Sequence, residues 1–238
     1  MMFNYYVGPL APAAGQLRLC HEDFATAGIR VAERRFGARE TIYAPGDPDG
    51  HLYFLLEGTV QLYKIYGDYK QATVALLKEG DVFGELSLEE TPHQNAFAEA
   101  VTDARVAVVR KSVLKDAIKR RPEFAIKLFS CFSERFRQSE ETIGSLLNRE
   151  VSARLATLLS HLGKRFGESD GPSTTLKVRL THQDLANMIF STREAVSKEM
   201  SELQRAGLVE VRNRRISVNA QPTKKVPTQP LSNPVEAA

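Results

Sequence analysis

Residues 193–198, Arg-Glu-Ala-Val-Ser-Lys, place an arginine, a glutamate and a lysine near the start of a helical stretch. Arg193 can donate two hydrogen bonds to O6 and N7 of a guanine, and Glu194 can accept one from N4 of a cytosine. Lys198 brings a point charge without the planar fork of an arginine. Charged helix faces are most often merely solvated, so the neighbours decide what this one is for. Upstream, Thr181 and Asp184 have capping-box spacing that starts a helix at His182, with Leu185, Ala186 and Ile189 as its inner face. Ser191 or Thr192 caps the next helix, where Val196, Met200 and Leu203 turn inward at steps of four and three. Arg193, Glu194, Ser197 and Lys198 are then left facing outward. Downstream, residues 209–211 and 216–218 flank the turn RNRR, a hairpin whose Arg212, Arg214 and Arg215 suit phosphate oxygens. Helix, turn, helix and basic hairpin make a winged helix-turn-helix, in which the second helix reads base edges.

Other chemistry has little to stand on. The five histidines show no metal-ligand spacing, and no nucleophile is paired with a base. An iron–sulfur cluster needs about four cysteines, whereas the chain has Cys20 and Cys131 alone. Two distant cysteines fit a reducing cytoplasm, and the absence of a run of about 18 apolar residues argues against a spanning helix. The opening segment lacks the basic region of a secretory signal. Net charge is +3 over 238 residues. Residues 149–220 carry twelve Lys/Arg against eight Asp/Glu, whereas residues 1–121 carry fifteen against sixteen. The positive excess therefore sits with the helix-turn-helix, as a phosphate-facing module requires.

The elements that position these groups follow from texture. Residues 1–20 read as an irregular arm and about 21–35 as a short helix within a sensor domain spanning 21–121. From Phe36 to Val109, short β-rich runs are separated by turn residues, which predicts a barrel or roll. Ser112 is placed to cap a helix. Pro122 opens a long one over 122–148, whose Phe124, Leu128, Cys131, Phe132, Phe136, Ser139, Ile143, Leu146 and Leu147 recur at three- and four-residue steps. Such a stripe packs on its own barrel or pairs with a second copy, and pairing accounts for the DNA module downstream. Residues 149–166 predict another amphipathic helix, GESDGPS a loop, and 176–180 a short strand, within a DNA-binding domain spanning 149–220. Residues 221–238, rich in Pro and polar groups, read as a disordered tail. The fold class is α+β: a β-roll, a long dimerisation helix and a C-terminal winged helix-turn-helix.

The phrases APGD (44–47), LYFLLEGTVQL (52–62), LLKEGDVFGELSL (76–88), LTHQDLANMI and STREAVSKEMSELQRAGLV, in this order, resemble the cyclic-AMP receptor/fumarate-nitrate regulator family of bacterial transcription factors. PGDP, YFLL, TVALL and VFGELSL also resemble its global nitrogen regulator branch. The resemblance implies that the β-roll is a cyclic-nucleotide-binding-like sensor domain, and that the chain forms a homodimer on double-stranded DNA, with RNA polymerase as a further partner. The family's S-R-E-x-x-x-R signature falls on Thr192, Arg193, Glu194 and Lys198, which implies a TGTGA-N6-TCACA-like palindrome read less strictly opposite Lys198. His182 and Gln183, with Thr181, match positions near phosphates. Phe190 departs from the family pattern, standing in the turn where glycine is usual.

In cyclic-AMP-binding members the Gly-Glu-Leu phrase meets the ribose phosphate, and Gly84, Glu85 and Leu86 match it. Arg135 on the long helix matches a purine-side position, and Ser139 matches a hydroxyl contact from the same helix. The arginine and serine that hold the cyclic phosphate are replaced by Gln94 and Asn95, and no Arg or Lys lies between Glu85 and Asp103. A buried phosphate without a cation is costly. Cyclic AMP, another small effector and constitutive activity remain the alternatives for control. A nucleotide-binding module acting through protein partners is the alternative reading of the chain as a whole, and the Arg193–Lys198 face with the arginine hairpin is what separates the two.

Overall fold

The computed structural model describes residues 21–48, 50–67, 70–85, 93–171 and 173–219. The expected arm (1–20), the expected tail (221–238) and Leu86 lie outside the described residues. The chain divides into two compact units, one within residues 1–64 and 74–141, the other within 65–73 and 142–238.

The first unit runs α1 (His21–Thr26), β1 (Ala32–Phe36), β2 (Thr41–Tyr43), β3 (His51–Glu57), β4 (Thr59–Tyr66), β5 (Lys70–Lys78), β6 (Val82–Phe83), β7 (Phe97–Ala100), β8 (Ala104–Arg110), α2 (Lys111–Arg120) and α3 (Pro122–Leu146), except that β4 beyond Lys64, β5 before Val74 and α3 beyond Glu141 fall in the second. Two four-stranded sheets form, ordered β1-β8-β3-β6 and β2-β7-β4-β5. The unbroken apolar runs LYFLL on β3 and VAVV on β8 need cover on both faces, because successive side chains alternate across a sheet. Tyr53, Leu55, Val106 and Val108 join a core with Tyr43, Val60, Leu62, Leu77 and Phe83, residues contributed by both sheets. Leu52, Phe54, Ala107 and Val109 join a second core with Phe24, Leu114, Phe124, Leu128 and Cys131 of the helices.

The helix expected over 21–35 stops early. Gly28 N–H donates to Ala25 O and Ile29 N–H to Phe24 O, closing α1, and the chain then pairs with β8 as an edge strand. Ser112 is not a cap: α2 begins at Lys111, and its N-cap Arg110 makes no side-chain capping bond.

The stripe on α3 resolves into two faces. Phe124, Leu128 and Cys131 are buried in the unit's own core. Ile126 (62% exposed), Phe129 (71%), Phe136 (66%), Ile143 (62%) and Leu147 (81%) lie open. The expected stripe merged Phe136, Ile143 and Leu147 with the inward residues and passed over Ile126 and Phe129. The open residues follow heptad spacing, with Ser133 and Glu140 at the remaining seam positions.

The second unit runs α4 (Val151–Phe166), β9 (Gly167–Asp170), β10 (Ser173–Leu176), α5 (His182–Met188), α6 (Arg193–Arg205), β11 (Val209–Arg212) and β12 (Arg215–Asn219). The sheet order is β11-β12-β10-β9. The expected loop over GESDGPS is therefore part strand, and β10 precedes the expected 176–180 because the β-branched Thr174 and Thr175 pair with β9 on one side and β12 on the other. Gly167 permits the helix-to-strand junction, since a Cβ there would lie 2.2 Å from Gly163 O and 2.2 Å from Thr174 Cγ2.

Candidate nucleic-acid interface and effector pocket

The start of α5 is built as its residue types dictate. Thr181 is the N-cap, its hydroxyl accepting from Asp184 N–H at 3.1 Å while Asp184 accepts from Thr181 N–H at 2.7 Å. Thr192, rather than Ser191, caps α6, accepting from Ala195 N–H at 3.2 Å. The cap thus falls on the second of the two candidates: Ser191 instead donates its backbone N–H to Ala186 O, inside the turn. Leu185, Ala186, Ile189, Val196 and Met200 are buried, and Ala186 is fully covered where α5 meets α6.

Phe190 answers the question its side chain raised. It takes φ +53°, the left-handed conformation that glycine would supply, with its ring about half exposed at 49%. The turn geometry is thus kept, and the cost is carried as backbone strain.

Arg193, Glu194 and Lys198 are exposed at the N-terminal end of α6. Among the described residues they make no ion pair or side-chain hydrogen bond, so their donors and acceptors face outward. His182 Nδ1 and Ser197 Oγ are 2.8 Å apart. This bond ties the first turn of α5 to the second turn of α6, and sequence reasoning missed it because it joins residues fifteen apart. Gln183 is exposed and its amide donates to Asn187. In the hairpin, Asn213 (φ +50°) and Arg214 (φ +62°) form a two-residue turn with both φ positive, flanked by the pair Arg212↔Arg215. Such turns favour Asn at the first central position and Gly at the second. Arg214 thus projects from a position where a side chain is costly. Arg212 is paired with Glu210 at 2.5 Å. Arg214 and Arg215 are exposed and make no ion pair among the described residues. The chemistry on offer is a row of outward donors and cations suited to a polyanion with readable edges.

In the first unit the expected effector residues are brought together in part. Gly84 has φ +101°, and a Cβ there would press on Tyr53 Cδ2 at 3.1 Å and His51 O at 3.2 Å. Asn95 donates its amide to Glu85 at 3.1 Å. Gln94 is buried, its backbone paired with Gly46 and Asp47. Arg135 donates to Val82 O at 3.1 Å. Ser139, expected as a hydroxyl contact, is exposed and donates to Arg135 O within its own helix. Beside Gly84 stand aromatic rings the sequence did not single out: Tyr43, Tyr53 and Phe83, with centroids 5.1–6.1 Å apart. Burial pushes the Tyr43 hydroxyl well above its ordinary range, against the opposing influence of Arg135 and a bond from Gly84 N–H. These groups do not fit a cyclic phosphate. Among the described residues, Arg135 is turned onto a carbonyl, and the residues at the phosphate positions are neutral amides.

Two family models match the chain: the cyclic nucleotide-binding domain over residues 33–121 and the Crp-like helix-turn-helix domain over 153–221. The global nitrogen regulator of Nostoc sp. is 32% identical over 197 residues, covering 82% of this chain and 88% of that one. The chain belongs to the Crp/Fnr family of transcription regulators. The CRP-like cAMP-activated global transcriptional regulator of Mycobacterium tuberculosis is 24% identical over 184 residues, covering 77% and 82%. The solved structure of FixK2 from Bradyrhizobium japonicum superposes with a TM-score of 0.70 at 26% identity, covering 81% of this chain and 94% of that chain. As a Crp-like regulator the protein carries a helix-turn-helix DNA-binding domain behind a cyclic-nucleotide-binding-type domain. No helix among the described residues is long and apolar enough to cross a membrane.

Proposed function

We propose that the protein is a homodimeric, cytoplasmic transcription regulator that binds a TGTGA-N6-TCACA-like palindrome and works with RNA polymerase. Arg193, Glu194 and Lys198 read bases. Thr181, His182, Gln183, Thr192, Arg212, Arg214 and Arg215 lie along the phosphates. The observation that carries this reading is the outward, uncompensated Arg193–Lys198 face on a helix whose other face buries Val196 and Met200. The open face of α3 supports the dimer, because Ile126, Phe129 and Phe136 stand exposed at heptad spacing within the first unit and call for a partner, and a second copy presents the same line. Two copies turn one half-site into a palindrome.

The neutral Gln94 and Asn95, the Glu85–Asn95 bond and the engagement of Arg135 with Val82 support control that does not depend on a cyclic phosphate. Calorimetry with cyclic AMP on the dimer tests this: binding tighter than about 10 μM, roughly −7 kcal/mol, refutes it. Base reading is tested by gel shift with the palindrome and a scrambled duplex at one salt concentration. Arg193→Ala is expected to relax preference at its base by about 1–3 kcal/mol. Unchanged preference would leave the face without a reading role and favour the protein-partner alternative.

A further inference from the structure

On the β1-β8-β3 sheet the register brings basic side chains to one face. Ala32 pairs with Val108, Val108 with Tyr53, and Arg110 with His51. Cross-strand partners share a face and every second residue returns to it. Arg34, two residues from Ala32, and Arg110, two from Val108, therefore stand on the same side as His51. Together with Arg30 they line a cavity of about 390 Å³. No carboxylate lines it. Arg30, Arg34 and Arg110 are exposed and make no ion pair among the described residues. The nearby acid Glu33 points to the other face, where it binds Arg105.

The same cavity receives the start of α2. Arg110 is the N-cap and supplies no side-chain acceptor, the first turn holds no acid, and Val113 lines the wall. The Lys111 N–H at the start of this ten-residue helix donates to Gly50 O at 3.0 Å, and the positive end of the helix dipole stands beside the guanidinium groups. Arginine forks and a helix N-terminus are both built for phosphate oxygens.

We propose that this cavity binds a small molecule carrying two or more phosphate groups, at a site separate from the Gly84–Arg135 pocket. Three guanidinium charges and a helix end call for a multiply charged anion, and the volume admits one larger than inorganic phosphate.

The test is calorimetry on the full-length dimer at about 0.15 M salt with pyrophosphate, ATP and, as an uncharged control, adenosine. Pyrophosphate and ATP are expected to bind once per protomer and adenosine not at all. Arg34→Gln and Arg110→Gln, both exposed positions, are expected to weaken that binding about tenfold or more each, while leaving affinity for the palindrome unchanged. The hairpin variant Arg212→Ala/Arg214→Ala/Arg215→Ala is expected to retain it. Three results overturn the proposal. Binding lost in the hairpin variant places the anion on the DNA-reading unit. Binding indifferent to Arg34 and Arg110 places it elsewhere. No binding of either phosphate, with transcription reduced by Arg34→Gln and Arg110→Gln, makes the patch a dock for an acidic protein surface. Each outcome is read independently of DNA affinity, so the failure of this site is distinguishable from failure of the proposed DNA reading.

Discussion

Phe136→Ala on α3 is the substitution that most sharply separates the two faces of that helix. Phe136 is 66% exposed in the single chain. Fully burying a phenylalanine stabilises by about 1.5–3 kcal/mol, so covering the exposed two-thirds contributes about 1–2 kcal/mol per protomer. In a two-fold interface the residue is lost twice, for about 2–4 kcal/mol, or roughly a thirtyfold to thousandfold weaker dimer at 1.4 kcal/mol per decade. Sedimentation equilibrium over nanomolar to micromolar protein reads the shift directly. Phe124→Ala is the contrast. That ring is 4% exposed and packs edge-on against Phe24 at 6.0 Å, so its loss costs about 3–5 kcal/mol of the unit's own stability. A wild-type chain that is monomeric at micromolar concentration, or a Phe136→Ala dimer of unchanged affinity, refutes the assignment of the open face.

Three further outcomes are expected. At position 190, Gly should be more stable than Ala by about 0.5–1 kcal/mol in urea unfolding followed by circular dichroism, the reverse of the usual order, because φ is +53° there; an equal or more stable Ala variant would remove the strain argument. Arg214→Gly relieves a turn whose second central residue has φ +62°, so the unfolding midpoint should rise while DNA affinity falls and the salt slope drops by about 1; unchanged DNA binding would show that the side chain is idle. Tyr43 has a folded-state pKa raised above its ordinary 10.0 by burial. Its contribution is therefore complete below pH 10 and is lost as the unfolded chain ionises above it, at up to about 1.4 kcal/mol per pH unit. Wild type should lose stability faster than Tyr43→Phe between pH 10 and 11, and parallel curves would contradict this.

Local signals were the legible ones. Thr181 and Asp184 form the capping box their spacing announces, and Val196 and Met200 turn inward at their helical steps, because caps and periodicity depend on residues within a turn of one another. The resemblance carried by motif order likewise led to the right family. What escaped was set by distance in sequence. Tyr53 meets Gly84 only because β3 and β6 pair, and His182 finds Ser197 only because α5 crosses α6. The stripe on α3 looked single because a period of three and four cannot distinguish one wide apolar face from two adjacent ones; the β-roll covers one and leaves the other open. At Phe190 the residue type argued against the turn, yet its backbone takes φ +53°, where glycine would have placed it, and Ser191 N–H donates to Ala186 O across that turn.

The central claim is that two copies of this chain read two half-sites through Arg193, Glu194 and Lys198. It is tested most directly by the affinity of the purified protein for a TGTGA-N6-TCACA duplex and for the same duplex with one half-site scrambled, at fixed salt. The account predicts one dimer per duplex and a loss of at least several kcal/mol on scrambling, at about 1–3 kcal/mol for each mismatched base pair. Equal affinity for the two duplexes, or one protomer bound per palindrome, would contradict it.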